Sequence, residues 1–367
     1  MVGTQVFDGE RLRLARVAQG FTLDELGSRV SATRQYLNQL EQGTKQPTDE
    51  MIEALAAALG VTVRFFALSA RGGVSAEQCH FRKQRTTPVS VVSQVLARGT
   101  LLDGFIDRLD RALELPKVSF PDIPVTTTAD IEGAAEQARE QWLLGTGPIS
   151  SMMRVVENAG AVVSFFGGVS ERVDALSIDR PRPMIIRSEA KPAACRLRFD
   201  LAHECGHLVM HRGIVTGDKA TEDQANRFAS AFLLPRSAFI HEFPRSRMLN
   251  WHAIFEMKLR WKVSASAILR RAYDLKMLSA DQYRTGYIHL SKTGQRKFER
   301  YDDVIVAEEP ELLPSAMAAL EQAYPGAVRR IAADAGFEDA MFESVAGLGL
   351  PEGSGSDPTN IVSIARR

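Results

Sequence analysis

Arg198-Phe-Asp-Leu-Ala-His-Glu-Cys-Gly-His-Leu-Val-Met-His211 is the stretch on which the reading of this chain turns. Within it, His203, Glu204 and His207 stand in an H-E-x-x-H spacing. Residues four apart on a helix lie one turn above each other, so both imidazoles can reach one ion from the same face. Glu204 is rotated by about 100° from His203, which sets it beside such an ion without ligating it. There it can take a proton from a water whose pKa zinc lowers to about 7. Leu201, Cys205, Leu208 and Val209 form the apolar face that buries the helix.

A zinc site needs a third protein ligand. Thr221-Glu-Asp-Gln-Ala-Asn-Arg-Phe-Ala-Ser-Ala-Phe-Leu-Leu-Pro235 reads as a second amphipathic helix, with Ala225, Phe228, Ala229 and Phe232 as its buried stripe and Pro235 as its end. Glu222 and Asn226 lie one turn apart, so Glu222 can bind the metal while Asn226 orients a ligand histidine from outside. Asp223 is the competing ligand, on a face about 100° away.

These two segments, LRFDLAHECGHLVMH and EDQANRFASAFLLP, closely resemble the ImmA/IrrE family of zinc metallopeptidase domains. The resemblance implies Zn2+ as cofactor, His203, His207 and Glu222 as ligands, Glu204 as general base, and a zincin-like domain. His211 stands where many relatives also carry a histidine. Its position just after the helix reads as a C-terminal cap favoured by the helix dipole.

A chain of 367 residues calls for two or three domains. Its 45% hydrophobic and 25% charged residues describe a soluble globular protein. The formal net charge is zero, so a nucleic-acid or membrane partner has to be argued locally. Cys79, Cys195 and Cys205 make no disulfide framework and fit a reducing cytosol, with Cys205 read as packing. No signal peptide opens the chain. The longest mostly apolar run, around Ala159–Val169, is short of the roughly 18 residues a membrane span needs. The expectation is a cytoplasmic protein without a membrane partner.

Residues 7–68 read as five short helices: Arg11–Gln19, Leu23–Val30, Arg34–Gln42, Asp49–Leu59 and Val63–Leu68. Thr22, Thr33, Thr48 and Thr62 stand at their starts, and Gly20, Gly43 and Gly60 at the ends of three. The spacing T-x-x-E-L … T-x-x-Y-L-x-x-L-E-x-G … P resembles the XRE family, the lambda/Cro-like helix-turn-helix domain. That resemblance implies a third helix lying in the major groove of a double-stranded DNA operator, with the protein as a homodimer on two half-sites. Arg34, Gln35, Asn38 and Gln39 are its outward positions and candidate base readers. Tyr36, Leu37 and Leu40 face inward, and Glu41 ties helix ends together. Seven basic against eight acidic side chains in residues 1–70 give little attraction for phosphate. Arg82, Lys83, Arg85 and Arg98, in the acid-free stretch 80–98, either add to it or form an ordinary solvated face.

The expected organisation is a helix-turn-helix domain at 1–69, a helical linker at 70–128, a peptidase domain at 129–300 and a helical C-terminal region at 301–367. Ala70–Val74 and 117–128 read as linkers flanking a helical pattern at 87–115. Ala129–Leu144, Ile149–Ala159, 250–273 and 279–284 read as helices, Ala161–Phe166 and Pro183–Arg187 as strands, and 301–348 as two further helices. Gly353–Pro358 opens a flexible tail, and Gly167-Gly168 is too isolated to cradle a phosphate. The fold class is mainly α with a small β-sheet (α+β).

The expected function is a DNA-binding transcriptional regulator that hydrolyses a peptide bond in a protein substrate, either a partner regulator such as a repressor or the chain itself. A regulator in which a non-catalytic peptidase fold senses a metal or ligand is the alternative. An enzyme whose N-terminal domain only docks proteins is a weaker third reading. His252, Tyr283 and Tyr287 are available to stabilise a transition state, with nothing to choose among them.

Overall fold

The computed structural model describes residues 7–69, 72–83, 88–166, 173–187 and 193–351. Among these, sixteen α-helices surround one four-stranded sheet, as a mainly α, α+β chain should. Arg85, Ala70-Arg71, Gly167-Gly168 and the Gly353–Pro358 tail lie outside the described residues.

The N-terminal helices are α1 (Gly9–Ala18), α2 (Leu23–Val30), α3 (Arg34–Glu41) and α4 (Asp49–Leu59). Each start is fixed by a local side-chain oxygen that accepts an otherwise orphan N–H. Asp8 accepts from Glu10, Thr33 from Tyr36 and Thr48 from Met51, while Thr22 and Glu25 cap each other reciprocally. Val63–Ala67 is a 3-10 turn where a fifth α-helix was expected, its Phe65 and Phe66 buried in the core. Gly27 lets the turn between α2 and α3 close, since a Cβ there would stand 2.5 Å from the Ala32 carbonyl oxygen. Leu12, Leu26, Leu37, Leu40, Leu55 and Leu59 fill the centre. Arg16 holds Glu41 at 2.6 Å, binding α1 to α3.

The segment read as a helical linker contains β1 (Cys79–Lys83) before α5 (Val89–Ala112). Cys-His-Phe-Arg-Lys alternates over only four residues, too short a run to read as a strand without its pairing. Arg98 of α5 is not a solvated cation: it is buried and donates from Nε to the Ala18 carbonyl at 2.8 Å, at the end of α1. By length and composition α5 is apolar enough to cross a membrane, against the expectation that no run was long enough. Its Val95, Leu101, Leu102, Phe105, Ile106 and Leu109 are instead buried in the protein core.

The chain continues through α6 (Thr128–Gln141), α7 (Met152–Asn158), β2 (Val162–Phe165), β3 (Val173–Ile178) and β4 (Met184–Arg187). The sheet order is β1-β3-β4-β2, with β1 and β4 antiparallel to β3 and β2 parallel to β4. Then come α8 (Ala194–Met210), α9 (Lys219–Leu233), α10 (Arg236–Glu242), α11 (Trp251–Trp261), α12 (Ala265–Asp274) and α13 (Ala280–Lys292). Three C-terminal helices follow, not two: α14 (Leu312–Ala323), α15 (Ala327–Asp334) and α16 (Asp339–Ala346). Gly326 and Gly336, both in the left-handed region, divide them.

Strand alternation splits the core in two. Leu176, Ile178, Met184 and Ile186 pack with α5, α14–α16 and the N-terminal bundle in one cluster. Val163 and Ile185 face the other way, into a cluster with α6–α9 and α11–α12. The sheet is therefore a central layer, and α8 lies on the face that Ser177 of β3 shares. The C-terminal helices are stitched back to the N-terminal bundle by Thr62 N–H to the Gly336 carbonyl at 2.9 Å and Glu338 N–H to the Gly60 carbonyl at 3.0 Å.

Candidate metal centre

Helix α8 presents His203 and His207 one turn apart, and α9 crosses it to bring Glu222 between them. The close approach depends on Gly206, because a Cβ there would stand 2.9 Å from the Phe228 ring. His203 Nε2 and His207 Nε2 are 3.1 Å apart, and Glu222 oxygens lie 3.3 Å and 3.4 Å from them. Tetrahedral zinc bonds of about 2.0–2.1 Å set ligand atoms about 3.3–3.4 Å apart, close to these separations, with one carboxylate oxygen nearest each imidazole. Among the described residues they are the one cluster of His, Cys, Asp and Glu arranged to hold a metal ion. Asp223, the competing ligand, is exposed and outside it.

The outer ring nitrogens fix which protonation state faces the centre. His203 Nδ1 meets the Asn226 side-chain oxygen at 3.1 Å, so it is the N–H and Nε2 carries the lone pair. His211 Nε2 donates to Gln224 Oε1 at 2.8 Å, which leaves its Nδ1 as acceptor. His207 Nδ1, 2.9 Å away, donates to that acceptor, and its Nε2 also turns a lone pair inward. Two lone pairs and a carboxylate thus converge with no proton between them, an arrangement that a cation relieves. Burial pushes His207 down to about 4, against the pull of the Glu222 carboxylate. Burial would raise Glu222, and it is protonated forms of His203 and His207 that would hold its carboxyl down, at about 2. Glu222 Oε1 is buried without a hydrogen bond. The residues present fit a zinc ion.

Glu204 is fully buried, and burial pushes its carboxyl up to about 7, with His203 and the Ser177 hydroxyl pulling the other way. Ser177 donates to its Oε2 at 2.6 Å, while Oε1 is left without a partner. A base near neutrality with one free oxygen is what proton transfer at such a centre uses.

Four residues here were not found from the sequence: Ser177, Gln224, Thr216 and His80. The His80 ring stacks on His207 with centroids 5.0 Å apart and donates to or accepts from Thr216 at 2.9 Å, with Nε2 buried and unpartnered. Burial, then the neighbouring His207 and His211, push it down to about 3, so the ring is neutral. His211 was read as a helix cap. It does end α8, but its ring is buried and spent on His207 and Gln224. His252 is exposed, Tyr283 stacks on Tyr273, and Tyr287 donates to the Ser266 carbonyl at 3.2 Å.

On α3, Arg34, Gln35 and Asn38 are exposed and Gln39 is half-buried. Arg34 pairs with Asp24 of α2 at 3.2 Å, both ends largely in solvent.

A helix-turn-helix bundle joined to a sheet-and-helix domain with a His-His-Glu centre defines a regulator carrying a peptidase-like domain. Residues 156–273 match the model of a peptidase family described as the IrrE N-terminal-like domain, and residues 12–66 match the helix-turn-helix family. The chain is 31% identical over 80 residues to the transcriptional regulator ClgR of Mycobacterium tuberculosis strain CDC 1551 / Oshkosh, and equally to that of strain ATCC 25618 / H37Rv. Each match covers 22% of this chain and 69% of the relative. The chain belongs to the helix-turn-helix family of transcriptional regulators and adds to it an IrrE N-terminal-like domain.

Proposed function

We propose that this regulator holds one zinc ion on His203, His207 and Glu222 and hydrolyses a peptide bond in a partner regulator or in its own chain. The observation that carries this is the inward-facing pair of imidazole lone pairs at tetrahedral spacing with the Glu222 carboxylate. Zinc, when bound, polarises a scissile carbonyl and makes a water acidic. Glu204 takes the proton on its free oxygen and delivers it to the leaving amine, while Ser177 holds the other oxygen. Asn226 and His211 keep the ligand rings in register.

The N-terminal bundle reads a double-stranded operator in the cytoplasm, with Arg34, Gln35, Asn38 and Gln39 of α3 toward base edges. The protein acts as a homodimer on half-sites about 34 Å apart. A purely sensory role, in which metal binding alone alters operator affinity, is favoured by α5, which packs on both the sheet and the N-terminal bundle.

The first experiment is metal analysis of the purified chain beside His207→Ala. One zinc per chain, lost in the variant, supports the centre; no zinc in either after zinc is supplied removes it. Glu204→Gln then separates the two roles. It should keep zinc and operator binding and abolish cleavage, whereas normal regulation by this variant would leave only the sensor.

A further inference from the structure

The matched IrrE-like segment begins at residue 156 and supplies β2, β3 and β4, in which β3 would be the edge beside the metal helix. In this chain that edge is covered. Strand β1, which ends at Lys83 and so lies well upstream of the matched segment's start at residue 156, pairs antiparallel with β3 along Cys79↔Ile178, His80↔Ser177 and Phe81↔Leu176. The register is centred on the site, because His80 lies opposite Ser177, the residue bonded to Glu204. The Asp179 N–H donates to the Gln78 carbonyl at 2.8 Å, and antiparallel bonded pairs alternate, so His80 and Ser177 form the next bonded pair. The His80 side chain follows its backbone into the centre, 1% exposed and flat against His207. An extended peptide presented to Glu204 would use the same edge by strand addition.

We infer that residues 79–83 occupy the substrate's place on β3, so that the chain holds its own peptidase centre closed. The inference rests on the peptidase reading and specifies its regulation. The closed form also engages the N-terminal bundle, since Cys79 packs in the same cluster as α1–α4 and α5. Release of β1 is then the step that admits another extended chain, with backbone pairing to β3 and a side chain at the His80 position lying over His207.

The full-length chain can be locked and released at this edge. Cys79 and Ile178 are a non-bonded antiparallel pair, whose Cα separation of about 4.5 Å suits a disulfide. Ile178→Cys, oxidised onto the native thiol with oxidised glutathione, locks β1 down. His80→Pro removes a ladder N–H and releases it. Zinc content is measured in every sample. Two probes are followed by fluorescence polarisation: a labelled tetra-alanine hydroxamate and a labelled peptide with the sequence of residues 76–83.

The released chain should bind both probes at least about tenfold more tightly than wild type, the gain expected if under a tenth of the native population is open. The locked chain should bind neither until it is reduced. Equal hydroxamate binding by locked and reduced forms overturns the inference, even if His80→Pro fails to fold. So does a folded, zinc-loaded His80→Pro chain that binds no better than wild type. Absence of zinc throughout, with the 76–83 peptide still captured only on release, overturns the zinc reading and leaves the covered edge standing.

Discussion

Asn226 shows how much of the centre is decided one bond away from it. Its oxygen fixes the His203 tautomer at 3.1 Å, and nothing else among the described contacts does so. Loss of such an orienting partner costs roughly 10–100-fold in metal affinity. Asn226→Ala should therefore bind zinc roughly 10–100-fold more weakly in competition with a fluorescent chelator. Helix content should be unchanged, since Asn226 is only half-buried. Helical spacing groups His203 with His207 and Glu222 with Asn226 within their own segments, but only the packing of α9 on α8 brings Glu222 to the histidines. Gln224 and His211 were in plain view but mute, because their pairing is set by how α9 crosses α8. Four of the seven histidines converge here, yet His80 is separated from the others by over a hundred residues of chain. Its role comes from strand pairing, which no local pattern encodes.

At the scale of elements, the crossing of α8 and α9 is set by a missing side chain. Gly206→Ala would force Phe228 or a helix to shift, and overpacking of this kind costs about 1–3 kcal/mol. A lower melting temperature and weaker zinc binding together are the expected outcome, measured by thermal unfolding with and without zinc. A second junction joins α7 to α14. Glu157 accepts the backbone N–H groups of Glu311 and Leu312 at 3.0–3.1 Å. Burial nevertheless pushes its carboxyl up from 4.5 to about 7, assisted by the charge of Glu311 and opposed by those two N–H groups. Arg154 is engaged with Glu311 instead. A carboxyl raised in the folded state holds its proton more tightly folded than unfolded. Its stabilising contribution is full below about 4.5 and is lost as pH rises through about 7. Melting temperature should fall between pH 5 and 8, and Glu157→Gln should flatten that part of the curve. The short helices were readable because their caps and stops are local, as Thr22, Thr33, Thr48 and Gly60 are. β1 and β3 were not, because Cys-His-Phe-Arg-Lys and Val-Asp-Ala-Leu-Ser-Ile carry weak alternation and are strands only through each other.

For the whole molecule, the deciding contacts join parts that lie far apart in the sequence. Phe342 of α16 meets Phe105 of α5 edge to face at 4.9 Å, in the cluster that also holds the N-terminal bundle. Phe342→Ala should cost about 3–5 kcal/mol. Hydrogen exchange should rise in α5 and α1 as well as in α16, because one core is shared. If protection is lost in α16 alone, the C-terminal helices are a separate cap. Position 342 was legible as an apolar residue on a helix; what it packs against was not. The backbone bonds from Thr62 to Gly336 and from Glu338 to Gly60, with the Arg64–Asp334 pair spanning 270 residues, add a dimension of time. A ribosome emits α1–α4 before α14–α16, their packing partners. On a nascent chain the surface around Gly60, Thr62 and Arg64 is therefore made long before the segment that covers it. Two stretches of chain made far apart in time thus share one packed surface.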